Sequence, residues 1–248
     1  GEKGPPFHAN DLYTRMAIHS LNALVGSIGV TGGVFRQGQV PSTPWAAPQL
    51  DEAGRLGAQQ PRIDGGPLLA RSAQPYPRNL PSSILKGKPY GLSVLFLYYA
   101  NPLYSQPDRE GWQAALGKVP LVVSFSPFLD ETSLQADLIL PDHTYLERWQ
   151  DDQVAHLAGL TLFGIGRPVV PPVFDTRQTE NVLLALAKRL GEPLAGALPW
   201  ETFDALLYEK ALGLFESGRG HVVLPPQEEA FEAILTRQGF WQSRFEGF

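Results

Sequence analysis

GLSVLFLYYANPLYSQPDREGWQAALGKVPLVVSFSPFLDETSLQADLILPDHTYLERW, residues 91–149, is the stretch whose reading decides the fold. Residues 94–99 form an apolar run without alternation, the pattern of a strand covered on both faces. The run stops at Ala100-Asn101-Pro102, because Pro102 has no N–H for a ladder and holds Asn101 to extended or turn geometry. Residues 109–116 fit a short crossover helix with Trp112, Ala115 and Leu116 on one side. Residues 121–125 read as a second strand and 137–140 as a third, ended by Pro141. Strand, helix, strand, short turn, strand is the grammar of a parallel α/β sheet, and such sheets take ligands outside the carboxyl ends of their strands. Those ends are Asn101-Pro102, residues 126–132 and residues 142–144.

Outward from this block, Asn10 or Asp11 starts a helix reaching Val25, apolar through Leu12, Met16, Leu21, Leu24 and Val25, with Gly26 as its C-cap. The glycine-rich turn 27–34 lacks the spacing of a dinucleotide fingerprint or a phosphate loop. Residues 35–88 show no sustained period, and prolines recur from Pro41 to Pro89. A structureless stretch of that length is expected to wrap over other structure, anchored by Trp45, Leu68, Leu69, Tyr76 and Ile84. Beyond the block, 150–153 reads as a polar loop and 158–173 as irregular extended segments. Thr179 is expected to cap a helix over 180–190, buried through Val182, Leu183, Leu186, Ala187 and Leu190. Two more helices are expected over 201–216 and 227–237. The expected fold is therefore α/β: three layers around a mostly parallel sheet with flanking helices, plus a long irregular proline-rich segment and C-terminal helices. Its expected segments are 1–34, 35–90, 91–192 and 193–248.

Composition bounds the function. The 248 residues are 43% hydrophobic and 18% charged, the balance of a globular chain rather than a disordered one. Twenty basic against 25 acidic residues give a formal charge of −5, with no basic stripe, which argues against nucleic acid as a partner. No apolar run approaches the roughly 20 residues of a membrane helix. The opening Gly1-Glu2-Lys3-Gly4 has no signal-peptide pattern and reads as an internal cut. With zero cysteines, this chain has no disulfide, thiolate zinc site, iron–sulfur ligand or cysteine nucleophile.

The densest titratable cluster is Asp142-His143-Thr144 with Glu147. It can be read as an acid/base pair or as metal ligands, but suits polar ligand contacts at a sheet edge better, since metal sites want more donors at helical or hairpin spacing. Residues 130–133, Asp-Glu-Thr-Ser, read both as a helix cap and as a ligand loop, and the two readings are compatible. His8, His19, His156 and His221 are scattered and read as structural or surface residues. No serine lies in a GxSxG elbow. Tyr98 and Tyr99, next to Asn101, read either as pocket lining or as strand core, with core packing favoured.

Several of these segments resemble the catalytic subunits of molybdopterin oxidoreductases, the dimethyl sulfoxide reductase superfamily. The resemblance rests on 21–34, LNALVGSIGVTGGV; on Asn101-Pro102 followed by Pro107-Asp108; and on 122–147, with its Asp-Glu-Thr turn, ADLILP and Tyr145-Leu146-Glu147. Ser124 to Glu131, SFSPFLDE, and Phe174-Asp175-Thr176-Arg177 are similar to one branch, that of polysulfide, thiosulfate and tetrathionate reductases and of related subunits in quinone-linked complexes. The resemblance implies a fragment covering the third domain of four. Residues 1–34 would end the preceding domain, 35–90 wrap, 91–192 bind molybdopterin guanine dinucleotide, and 193–248 lead to a barrel.

It further implies that Asn101 and Pro102 approach the diphosphate of a bis(molybdopterin guanine dinucleotide) cofactor carrying molybdenum or tungsten. Ser126, Glu131 and Thr132 would meet its guanosine end, with Asp142, His143 and Thr144 along the next strand end. The implied work is two-electron chemistry in anaerobic or quinone-linked respiration, with this chain inactive alone. The implied partners are the remaining domains, an iron–sulfur subunit and a membrane quinone-reactive subunit, in an extracytoplasmic, membrane-associated setting. Ser126-Pro127-Phe128 stands where many members end a strand in Asp-Ile-Phe, so an alternative is a structural or electron-transfer subunit without the molybdenum cofactor. A fragment should also leave exposed apolar faces.

Overall fold

The computed structural model describes residues 11–34, 40–44, 49–65, 77–157, 160–223 and 240–244. The chain divides into two compact units, one of residues 1–43, 151–166 and 209–248, the other of residues 44–150 and 167–208.

The second unit carries the parallel sheet. Strands β1 (Val94–Leu97), β2 (Leu121–Ser124) and β3 (Leu138–Ile139) pair in the order β1-β2-β3, with Val94 opposite Leu121 and Val123 opposite Leu138. Two short helices, α4 (Pro102–Ser105) and α5 (Arg109–Leu116), connect β1 to β2. Asp108 starts α5, its carboxylate accepting from the Gly111 N–H at 3.0 Å. Position 111 is glycine because a Cβ there would lie 2.1 Å from that carboxylate. One sheet face packs on a core of Ile84, Leu97, Leu103, Trp112, Ala115, Leu116, Val119 and Val122. Trp112 is the largest member, and its removal would cost about 3–5 kcal/mol.

The face opposite this core is covered only in part, not fully as the apolar run suggests, with Val123 of β2 buried there. Val94 and Phe96 of β1, Leu121 of β2 and Leu138 of β3 are exposed on that same face. Together with Tyr98, Tyr99, Phe128, Leu129, Val173 and Phe174 they leave much apolar surface open, as a fragment should.

The proline-rich stretch is less irregular than its composition. It holds α2 (Glu52–Ala58), capped by the Asp51 side chain, and α3 (Leu80–Lys86), which buries Pro81 and Ile84. Anchors Trp45, Leu68, Leu69 and Tyr76 lie outside the described residues. Helix α6 (Thr179–Leu190) begins at Thr179 rather than being capped by it; of the expected stripe it buries Ala187, with Leu184 added, while Leu183 and Leu190 are exposed. A short helix, α7 (Leu194–Ala197), follows.

The first unit contains α1 (Asp11–Leu24), ended at Gly26, whose φ of 66° is the left-handed geometry of a C-cap. Its apolar residues Met16, Leu21 and Leu24 are exposed. Residues 150–157 and 160–166 are regular strands, β4 (Gln150–Leu157) and β5 (Leu160–Gly166), not loop and irregular chain. With β6 (His221–Val223) and β7 (Phe240–Arg244) they form a sheet in the order β4-β5-β7-β6. Phe163, Ile165 and Trp241 are buried there, with Ala211 and Leu214 from the end of α8 (Phe203–Glu216). The helix expected over 227–237 lies outside the described residues. Among the described residues no helix is long and apolar enough to cross a membrane.

Candidate functional site

All eight expected site residues stand at the carboxyl edge of the parallel sheet, where they form two groups. The first joins the ends of β1 and β2. The Asn101 carboxamide donates from Nδ2 to Glu131 Oε2 at 2.7 Å, and its Oδ1 accepts from Thr132 Oγ1 at 2.7 Å. Thr132, with no exposed surface, also accepts from the Leu103 N–H at 3.1 Å. Pro102 opens α4 and is buried.

Ser126 belongs to the same loop through Asp130, whose Oδ2 accepts from Ser126 Oγ at 3.2 Å. Oδ1 of Asp130 accepts from the N–H groups of Thr132 and Ser133 at 3.1 and 2.7 Å. The capping reading of 130–133 therefore holds, with Asp130 as the cap. It ties the loop together and leaves Glu131 exposed. Hydrogen bonding by Asn101 holds the exposed Glu131 carboxyl below the usual carboxylate range.

The second group follows β3. Asp142 is fully buried, and its Oδ1 accepts from the N–H groups of His143 and Thr179, both at 2.9 Å. Its Oδ2 accepts from Arg148 Nη1 at 3.0 Å. Asp142 thus caps α6, which explains why Thr179 does not. His143 Nδ1 lies 2.7 Å from Thr176 Oγ1. Glu147 accepts the N–H groups of Thr144 and Val173, each at 2.9 Å, and these donors hold its carboxyl below the usual range. Gln178 pairs its carboxamide with the backbone of Trp149, at 3.3 Å from the N–H and 2.9 Å to the carbonyl. A shallow cleft of about 490 Å³ opens here, between His143, Glu147, Trp149, Gln178, Asn181 and the strap 168–172. Both carboxylates, Asp142 and Glu147, are spent on structural donors. Among the described residues no three His, Asp or Glu side chains are grouped to hold a metal ion.

Tyr98, Tyr99 and Arg148 separate the two groups, and the sequence did not single them out for this. Tyr98 and Tyr99 are exposed rather than core, with ring centroids 4.8 Å apart and edge to face. Tyr98 OH accepts from Arg148 Nη1 at 2.8 Å, and Tyr99 OH donates to the His143 carbonyl at 3.0 Å. The Arg148 guanidinium lies 5.3 Å from the Tyr99 ring centroid. Because β2 lies between β1 and β3, these contacts cross above its end. Tyr99 reaches its position with φ at 48°, rare for a residue with a Cβ. Burial and the Asp142 charge push its hydroxyl up to about 12. A second Tyr after an apolar strand, then a lone Arg after the third strand end, was the available signal.

A parallel sheet with hydrogen-bonding side chains gathered on its carboxyl edge is the arrangement by which α/β units take ligands there. The molybdopterin oxidoreductase family model matches residues 3–189, more than half of the chain, and the chain belongs to that family. It is 36% identical over 130 residues to the menaquinone reductase molybdopterin-binding-like subunit of Nitratidesulfovibrio vulgaris, covering 52% of this chain and 18% of that protein. It is 32% identical to the arsenate respiratory reductase molybdopterin-containing subunit of Chrysiogenes arsenatis, over 75% of this chain and 23% of that protein. The thiosulfate reductase molybdopterin-containing subunit of Salmonella typhimurium is 26% identical, over 79% of this chain and 27% of its own length. The chain thus spans about a fifth to a quarter of these relatives. Among solved structures, acetylene hydratase from Pelobacter acetylenicus superposes with a TM-score of 0.52 at 20% identity, covering 68% of this chain and 21% of that one. That likeness concerns the fold alone.

Proposed function

We propose that this chain is the part of a molybdopterin-dependent oxidoreductase that holds one nucleoside end of a bis(molybdopterin guanine dinucleotide) cofactor, and that it is inactive alone. One observation carries the reading: Asn101 and Glu131 are fixed side by side, as donor and acceptor, at the ends of β1 and β2. Their chemistry fits the hydroxyls of a ribose and the N–H edge of guanine. It fits a diphosphate poorly. The edge carries Asp130, Glu131, Asp142 and Glu147, and its half-buried guanidinium, Arg148, is committed to Asp142. Asn101 and Glu131 are therefore assigned the sugar and base, with Ser126 and Thr132 behind them.

Asp142, His143 and Thr144 would border the cofactor on the far side of the tyrosine bridge. The bound metal would supply two-electron redox chemistry, in anaerobic or quinone-linked respiration. The remaining domains, an iron–sulfur subunit and a membrane quinone-reactive subunit would be the partners, in an extracytoplasmic complex.

Calorimetric titration of the chain with guanosine and with GDP tests the reading. Saturable binding of both at similar affinity is expected, weakened by about 1–3 kcal/mol in Asn101→Ala through a lost hydrogen bond and an unpaired Glu131. No heat with either ligand would favour the subunit that has shed its cofactor.

A further inference from the structure

We infer that Thr132 is a positioning residue, which never touches the ligand but sets the direction of the Asn101–Glu131 pair that does. Asn101 stands at the N-cap of α4, where an asparagine side chain ordinarily accepts a backbone N–H of the first turn. Here it makes no such bond. The Leu103 N–H goes instead to Thr132 Oγ1, at 3.1 Å. Thr132 takes over the capping task and so releases the Asn101 carboxamide to face outward.

The same hydroxyl then fixes which way that carboxamide points. With a lone pair occupied by Leu103, Thr132 donates its own hydrogen to Asn101 Oδ1, at 2.7 Å. Nδ2 is left facing Glu131 Oε2, at 2.7 Å. Flipping the amide would set its oxygen against a carboxylate, which only accepts. Three donations therefore run in one direction, from backbone N–H to hydroxyl to amide to carboxylate. Bonds in such a chain polarise one another. The chain begins in the buried interior and ends on Glu131, an exposed carboxylate. The other charges acting on Glu131 are Asp130 beside it and Arg109 of α5.

The ligand half of this inference rests on the nucleoside reading above; the positioning half does not. Thr132→Val keeps the shape and removes the hydroxyl, while Thr132→Ser keeps the hydroxyl. The Glu131 carboxyl is followed by carbon-detected NMR through a pH titration, without ligand, and guanosine affinity is measured beside it. In Thr132→Val the Glu131 titration is expected to move up toward the ordinary carboxylate value, and guanosine binding to weaken about tenfold. Thr132→Ser is expected to restore both.

If Thr132→Val does not fold, Asn101→Ala breaks the chain one link later and should move the Glu131 titration in the same direction. A Glu131 titration identical to the parent's in Thr132→Val, or in Asn101→Ala in its place, overturns the positioning role. A shifted titration in a chain that binds no guanosine upholds that role and overturns the nucleoside reading.

Discussion

Replacing Arg148 with Met should destabilise this chain by about 3 kcal/mol. Removing one partner of a buried ion pair costs roughly 3–5 kcal/mol, because the other charge is left in a poor solvent. Two features set the value at the lower end. Asp142 keeps its bonds from the His143 and Thr179 N–H groups, and the Arg148 side chain is 18% exposed, so water partly reaches the vacated place. Against this, Tyr98 loses its donor and Tyr99 its cation. A loss of about 3 kcal/mol corresponds to a fall of roughly 6–12 °C in Tm for a chain of this size.

Urea unfolding of the parent, Arg148→Met, Asp142→Asn and the double variant gives the coupling between the two residues. A coupling above about 1 kcal/mol is expected, with the double variant more stable than the sum of the singles predicts. Lys188→Met is the contrast. Its partner Glu201 is 85% exposed, so the change should stay within about 1 kcal/mol. A cost for Arg148→Met no larger than that for Lys188→Met would refute the view that Arg148 ties the strand ends together.

Gly213→Ala should destabilise, although glycine to alanine inside a helix ordinarily gains about 1 kcal/mol. A Cβ at 213 would meet the Thr43 nitrogen at 2.1 Å and force out a segment whose N–H and hydroxyl bond the Lys210 and Glu209 carbonyls. Losing both bonds costs roughly 1–3 kcal/mol, and a raised Tm would refute that docking. Stability should also fall at both ends of the pH scale, which unfolding midpoints across pH would record. Glu147 is lowered in the fold, so its contribution is present above its ordinary value near 4.5 and lost as pH falls below it. Tyr99 is raised, so its contribution is present below pH 10 and lost as pH climbs toward about 12. In Tyr99→Phe the alkaline loss should shrink.

The parallel sheet was legible because its signals are local. An unbroken apolar run, a proline that cannot donate and a Trp-Ala-Leu helix face each declare themselves within a few residues. The strand-end positions of the site residues followed from topology alone. Their division into two groups did not, since it depends on Tyr98 and Tyr99 reaching over β2 to residues some 44 and 50 positions away. Nothing in a pair of tyrosines distinguishes a core strand from a bridge. Helix α6 itself was legible, but its cap was missed in a similar way, because the capping carboxylate, Asp142, is 37 residues upstream. Exposed apolar surface was expected, but that part of it would be a sheet face was not legible, for another reason. An apolar strand states that something covers it, and does not state which chain supplies the cover.

That open face and the acidic edge bear on the same question. Parallel sheets are usually covered on both faces, and here Val94, Phe96, Leu121 and Leu138 are exposed although Val123 among them is buried. The edge is rich in acid, with four carboxylates, while Arg148 is engaged by Asp142 and Arg109 of α5 acts on Glu131. A dinucleotide brings at least two negative charges with its diphosphate. On the proposed reading, most of the balancing cations come from polypeptide outside this edge, and the nucleoside is the part of the cofactor this unit would hold by itself. Guanosine and GDP binding with equal affinity is the signature of that division, and a strong preference for GDP would place the missing cations within this chain.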